Sequence, residues 1–273
     1  MKIDITKKLI NNIVVISKSI FSIRTELKLL NNKIDSLHQK LDNINNQKEG
    51  IIRSRENYDL ENYFSQIESL ISIYNRLPNI NFLPPTRGWA GSPDFLNKII
   101  EIIVKNKPKF VLEVSSGVSS IIIGQALNIN KEGKSLSLEH DLEYSKNSIE
   151  NLNLNEINGV SRILYSPLKN YIIEGGNWKW YDIENIVFDE KIDLLIIDGP
   201  PRITQKLARF PAIPLLHNNF SDSISIILDD SNREDETIII MEWTKYLENI
   251  GYFVKIENYN KFEKGLVVLS CKK

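Results

Sequence analysis

Residues 109–141 read KFVLEVSSGVSSIIIGQALNINKEGKSLSLEHD, and this stretch decides the fold. It opens with an apolar run, FVLEV, too short for a helix and typical of a buried strand. A turn of small residues, Ser115-Ser116-Gly117, follows, and then the helical stretch SSIIIGQALNI. KSLSLEH is a second strand, and Asp141 stands where it caps the next helix, DLEYSKNSIENLNLN. A strand–helix–strand unit of this length closes as a parallel pair with a right-handed crossover.

Downstream the alternation continues. SRILYSPL is a third strand, IDLLIID a fourth with the apolar run of a strand covered on both faces, and SISIILDD a fifth. The helix EDETIIIMEWTKYLENI comes next, and GYFVKIENY and KGLVVLSCK close the chain as two strands only a few residues apart. So tight a connection leaves no room for a helical crossover, so this last pair is antiparallel. Upstream, Ser92-Pro93 reads as N-cap and first helical residue of a helix reaching about Lys105. Before it, PNINFLPPTRGWAGSP (78–93) is a connector rich in Pro, Gly and Asn that marks a boundary.

Open α/β sheets bind ligands outside the carboxyl ends of their strands. The first strand ends in Glu113-Val-Ser-Ser-Gly117-Val-Ser119, a small-residue turn that lets backbone approach a ligand at a helix N-terminus. The second ends in Glu139-His140-Asp141, where an acidic residue can accept from both hydroxyls of a ribose. The fourth ends in Asp198-Gly-Pro-Pro and the fifth in Asp229-Asp230. Carboxylates at neighbouring strand ends repel one another unless something cationic sits between them. Hard oxygen donors with no His or Cys cluster point to Mg²⁺. The alternative is that Asp229 or Asp230 caps a helix beginning near Asn232.

Taken together, LPPTRGWAGSPDFL, VLEVSSGVSS, LSLEHD, WYD (Trp180 to Asp182), IDLLIIDGPP, ARFPAIPLL, ILDDSNRED and KGLVVL, in that order, resemble the class I S-adenosylmethionine-dependent methyltransferases. The nearest subgroup is the bacterial one related to catechol O-methyltransferase (methyltransferase domain 24-like). The resemblance spans about Leu83 to Cys271 and implies a Rossmann-like parallel sheet ending in an antiparallel hairpin. It implies that Glu113, Ser115, Ser116, Gly117 and Ser119 line the cofactor's methionine part, that Glu139 holds the ribose and that His140 flanks the adenosine. It places Asp198 at both the cofactor and the reaction, and Asp198, Asp229 and Asp230 around a divalent metal. Two departures stand out: Ser115 replaces a glycine of the usual E-x-G-x-G turn, and no lysine follows Asp198 where the catechol-type base stands. Arg202 and Lys206 are poor substitutes, because arginine does not deprotonate at working pH. The implied activity is methyl transfer to oxygen on a small hydroxylated or sugar acceptor. The alternatives are a noncatalytic adaptor built on a degenerate methyltransferase fold and, more weakly, a nicotinamide-dependent oxidoreductase. Arg87 and Trp89 are candidates to close over the acceptor, and Trp178, Trp180 and Tyr181 to serve as a lid or as aromatic anchors.

The N-terminal third is different. Leu9, Ile13, Ile16, Ile20, Ile23, Leu27, Leu30, Ile34, Leu37, Leu41 and Ile44 alternate steps of four and three, an unbroken heptad seam with no proline or glycine before Gly50. Residues 1–50 therefore read as a coiled-coil stalk joining copies of the chain, or as a helix folded back on its own domain. Residues 51–82 read as a helical linker, with a second helix from about Asp59 to Leu77 whose apolar face is Leu60, Phe64, Ile67, Leu70, Ile71 and Tyr74. The methyltransferase-like domain is 83–273. The 34 Lys+Arg and 35 Asp+Glu residues nearly cancel, which argues against a nucleic-acid partner. The single Cys271 excludes a disulfide framework and suits a cytosolic, reducing setting. The N-terminal apolar patch is interrupted by Asn, Lys and Ser, so neither a secretory signal nor a membrane span is expected.

Overall fold

The structure is a computed structural model; it describes residues 2–273, with side chains described at 22–41 and 59–273. The chain forms two compact units, Met1–Glu61 and Asn62–Lys273. A single helix, α1 (Lys2–Arg76), covers both helices expected from the sequence. No helix breaker stands between Gly50 and Pro78, and one glycine costs only about 1 kcal/mol relative to alanine. Of the predicted heptad seam, Ile23, Leu27, Leu30, Ile34, Leu37 and Leu41 are all solvent-exposed. Leu9, Ile13, Ile16, Ile20 and Ile44 lie outside the described side chains.

The second unit is built on a seven-stranded sheet. Its strands are β1 (Phe110–Val114), β2 (Lys134–Glu139), β3 (Ser161–Tyr165), β6 (Ile192–Ile197), β7 (Phe220–Asp229), β8 (Phe253–Tyr259) and β9 (Leu266–Lys272), in the order β3-β2-β1-β6-β7-β9-β8. All pairs from β3 to β7 are parallel, and β9 runs antiparallel to both β7 and β8. The order reverses between β1 and β6, which opens a crevice at their carboxyl ends. The helices are α2 (Pro93–Asn106), α3 (Val118–Asn130), α4 (Leu142–Leu154), α5 (Ala212–Leu216) and α6 (Glu234–Asn249).

Alternation along the strands feeds two apolar layers. Val111, Leu194, Ile196, Ile227 and Val268 pack with α2, α3, Ile73 of α1 and Leu77 just after it. Leu112, Val114, Leu195 and Ile197 pack on the other face with Trp180, Tyr181, Trp243 and Leu247. The C-terminal turns of α1 pack through Ile73, and Leu77 just beyond the helix is buried too, whereas Phe64, Ile67, Ile71 and Tyr74 of the expected apolar face are exposed to solvent. Polar anchoring sets this choice, since Gln66 donates to Asp94 Oδ2 at 2.7 Å and Ser72 to Asn97 at 3.2 Å, both on α2.

A hairpin that the sequence did not announce, β4 (Leu168–Ile173) with β5 (Gly176–Tyr181), follows β3 as a separate two-stranded sheet. It turns at Glu174 (φ 52°) and Gly175 (φ 79°), both left-handed as a type I′ turn requires. Trp180 and Tyr181 are fully buried and Trp178 stacks on Phe210 with ring centroids 4.7 Å apart, so these aromatics anchor the hairpin rather than form a lid. The connector is pinned as well. Asp94, 4% exposed, accepts from Ser92 Oγ, the Phe95 and Glu263 N–H groups and Gln66. Asn155 binds Asn81 N, Phe82 N and Phe82 O.

Candidate active site

The turn after β1 sits over a buried carboxyl. Glu113 is fully buried, and its Oε2 accepts from Ser120 Oγ and Ser137 Oγ at 2.5 Å each, while its Oε1 has no partner. Burial pushes its pKa up to about 7, against the pull of the Ser119, Ser120 and Ser137 hydroxyls. Above it, Ser115 holds φ 111° and Gly117 φ 152°. A serine in that region is strained by about 1–3 kcal/mol, so the departure from glycine is a real cost at this turn.

Glu139 ends β2 and is 3% exposed. Its Oε2 accepts from the Ser116 N–H (3.1 Å) and Oγ (3.0 Å), and its Oε1 from the Asp141 N–H (3.0 Å), with His140 Nδ1 also 3.1 Å away. Burial alone would raise its pKa, but His140, the Asp141 N–H and Ser116 outweigh it and hold the carboxyl below its ordinary range. Glu139 is therefore an anion at neutral pH. Asp141 accepts from the Glu143 and Tyr144 N–H groups and caps α4, as expected.

Across the crevice, the sequence had asked for a cation among the carboxylates, and the chain supplies one. Arg209, 3% exposed, donates through Nη2 to Asp230 Oδ2 (2.6 Å), Asp198 Oδ1 (3.2 Å) and the Asp198 carbonyl at 2.5 Å. Its Nη1 donates to the Asp229 carbonyl (2.7 Å) and lies 3.8 Å from Glu236 Oε1. Arg233 Nη1 adds a second contact to Asp230 Oδ2 at 2.7 Å. Burial, with Asp198 and Asp230 nearby, drives the Asp229 pKa well above the usual carboxylate range, and its Oδ2 has no partner. Burial also raises Asp198, against Arg209. Neither aspartate of the pair caps α6, whose N-cap is Arg233; Asp230 instead adopts φ 60°.

One oxygen each from Asp198, Asp229 and Asp230 lie within 4.8 Å of one another, a set that could ligate a metal. The fit is nonetheless poor. The oxygens of Asp198 and Asp230 that Arg209 holds are already bonded to a cation, and the raised pKa of buried Asp229 disfavours the anionic form a metal needs. Two unit charges about 4 Å apart interact by about 4 kcal/mol at an effective dielectric near 20, and a divalent ion doubles that repulsion from the guanidinium.

A cleft of about 810 Å³ joins these groups. Ser115, Ser116, Glu139, His140, Asp198, Arg209 and Asp230 line it, with Trp89, Ile203 and Lys264 among the others. Of the residues expected at a cofactor, Glu113, Gly117 and Ser119 do not line the cleft, and Asp229 lies behind its wall. Arg209, Arg233, Lys264 and Tyr144 were not anticipated. The signal for Arg209 was a lone charge inside the apolar run LARFPAIPLL, since a charge there must be buried with partners. Lys264 Nζ donates to the Gly88 and Ala90 carbonyls, tying the β8–β9 connection to the connector beside Trp89.

A seven-stranded sheet of this order, with its antiparallel end and a crevice at the β1/β6 switch, is the class I S-adenosylmethionine-dependent methyltransferase fold. Solved structures agree. The O-methyltransferase TomG from Streptomyces achromogenes, involved in tomaymycin synthesis and in complex with SAM, superposes with a TM-score of 0.52 at 10% identity over 77% of this chain and 95% of that one. The SAH-bound methyltransferase of Podospora anserina gives 0.51 at 13% identity over 74% and 88%. No protein-family model and no curated protein matches the sequence.

Proposed function

We propose that the chain is an S-adenosylmethionine-dependent methyltransferase acting on an oxygen of a small hydroxylated or sugar acceptor. One observation carries the reading: an anionic Glu139 at the end of β2 and Asp198 at the end of β6 share one cleft whose volume suits a small-molecule ligand. Ser115, Ser116, Glu139 and His140 would hold the cofactor, the Glu139 carboxylate exchanging Ser116 Oγ for ribose hydroxyls. When bound, S-adenosylmethionine supplies an electrophilic methyl group. The protein's own task is alignment and water exclusion. Of the carboxylates lining the cleft, Asp141 caps α4, Glu139 is taken by Ser116 and Asp141, and Asp230 is shared by two arginines. Asp198, which Arg209 holds through Oδ1 alone, is left with one oxygen to accept the acceptor's hydroxyl proton. Trp89 and Ile203, 79% and 91% exposed at the cleft, offer apolar surface to the acceptor's ring.

Calorimetric titration of S-adenosylmethionine and S-adenosylhomocysteine into wild type and Glu139→Ala tests this. Micromolar binding abolished by the substitution supports the reading; no binding by wild type overturns it. The internal bonding of Glu139 and the strained Ser115 favour one rival, a noncatalytic adaptor, which predicts cofactor binding without turnover on any hydroxylated acceptor.

We also propose that residues 1–50 act as an oligomerising stalk and 51–82 as a linker to the catalytic domain. The exposed seam Ile23–Leu41 at heptad spacing and the exposed face Phe64, Ile67, Ile71 and Tyr74 support a homo-oligomer. Sedimentation equilibrium of wild type against Leu30→Asp/Leu37→Asp tests it, with a fall to monomer expected. No helix among the described residues is long and apolar enough to cross a membrane. Cys271 is buried and unpaired, in keeping with a reducing cytoplasmic setting.

A further inference from the structure

We propose that the carboxylate cluster at the ends of β6 and β7 is closed to divalent metals because Arg209 is its built-in cation, and that Arg209 positions Asp198 toward the acceptor. The second half rests on the methyltransferase reading; the first does not. Arg209 bridges both strand ends at once, through the Asp198 carbonyl and carboxylate on one and the Asp229 carbonyl and Asp230 carboxylate on the other. A metal ion held by the oxygens that Arg209 leaves free would sit directly beside its guanidinium and be repelled by it. Charge agrees with geometry. Arg209 and Arg233 both reach the Asp230 carboxylate, and Arg209 also reaches that of Asp198. A divalent ion entering here would meet the repulsion of both guanidinium groups as well as the cost of its own dehydration. The guanidinium also holds Asp198 by one oxygen, Oδ1, which fixes the carboxylate plane and leaves the other oxygen to the acceptor.

The test uses the full-length chain and Mn²⁺ as an EPR-visible probe. Wild type is expected to show no saturable Mn²⁺ site at millimolar concentration, and no shift in Tm with EDTA or Mg²⁺. Arg209→Ala is expected to gain one saturable site per chain, lost again when Asp230→Asn is added. Should Arg209→Ala not fold, Arg209→Met, which keeps the packing of the stem, takes its place. A saturable wild-type site that Asp230→Asn removes overturns the proposal, as does a folded Arg209 variant that gains no site. For the positioning role, Arg209→Lys should restore part of the turnover lost in Arg209→Ala without added metal. Loss in kcat with KM for the acceptor unchanged and no rescue by lysine would overturn that role. Failure of S-adenosylmethionine to bind would sink the proposed function and leave the Mn²⁺ experiment standing.

Discussion

Replacing Glu113 by glutamine removes one titration from the floor of the site and should change how stability depends on pH. Glu113 is fully buried under the β1 turn, and its pKa rises from 4.5 to about 7. Because the folded-state value lies above the unfolded one, the folded chain binds this proton more tightly. The stability it contributes is fully present below 4.5 and lost as pH rises through about 7. A rise of that size corresponds to about 3 kcal/mol, at roughly 1.36 kcal/mol per pH unit.

Glu113→Gln keeps the shape and can still accept from Ser120 and Ser137 through one oxygen. Its amide nitrogen falls where Oε1 now has no partner, which lowers the whole curve by a pH-independent amount of about 1–3 kcal/mol. The diagnostic is therefore the slope. Urea unfolding of both proteins from about pH 4 to about pH 8 should show wild type losing about 3 kcal/mol more than the variant across that window. The raised carboxyls of Asp198, Asp229 and Glu236 are present in both proteins and largely cancel in the difference. A difference that stays flat over the window would refute the assignment of a raised pKa to Glu113.

Ser115→Gly should stabilise the fold by about 1 kcal/mol, since relieving a strain of about 1–3 kcal/mol outweighs the added freedom of the unfolded chain. That is a Tm rise of about 2–4 °C in calorimetry, and a fall in Tm would show that φ 111° is not strained in this turn. Trp243→Ala should cost about 3–5 kcal/mol in urea unfolding, because the ring is fully buried and its Nε1 donates to the Phe210 carbonyl at 2.8 Å. Trp243→Phe should cost clearly less. Asp94→Ala should expose the connector to proteolysis and cost about 2–4 kcal/mol, since it strips the acceptor from Ser92, Gln66 and the Glu263 N–H; unchanged cleavage kinetics would show that the connector is held elsewhere.

The sheet was legible because its central strands are buried on both faces, and IDLLII and FVLEV can be little else. The antiparallel end followed from a connection too short for a helix. The β4–β5 hairpin escaped because its turn is Glu174-Gly175 rather than the Asn-Gly or Asp-Gly pair that announces a type I′ turn, and because strands reading LKNYII and GNWKWY mix exposed, half-buried and buried positions without a continuous apolar face. The orientation of α1 escaped for another reason. Periodicity picks out the most apolar face, but Gln66 and Ser72 choose the docking edge through bonds to α2 residues, and no local pattern encodes those. At the site, strand-end carboxylates were visible in sequence, whereas the partner that binds them comes from a segment between β6 and α5.

That partner bears on what kind of site this is. Burying an ion cluster is seldom a route to stability, because desolvation offsets most of the attraction and apolar replacements are often equally stable. Arg209 could have been an aliphatic residue in the run Leu207–Leu216 with Asp198 and Asp230 turned to solvent. Instead its guanidinium forms part of the cleft wall, facing the same cavity as Glu139. The two anionic positions thus differ in kind. Glu139 is held by two backbone N–H groups, His140 and the Ser116 hydroxyl, of which the hydroxyl can give way to a ribose, while Asp198 and Asp230 are held by fixed positive charge that a neutral ligand cannot replace. A ligand entering this cleft can exchange hydrogen bonds on the β2 side, but on the β6–β7 side it must accept a geometry already set. Such asymmetry suits a reaction in which one substrate recurs unchanged and the other must arrive in a single orientation.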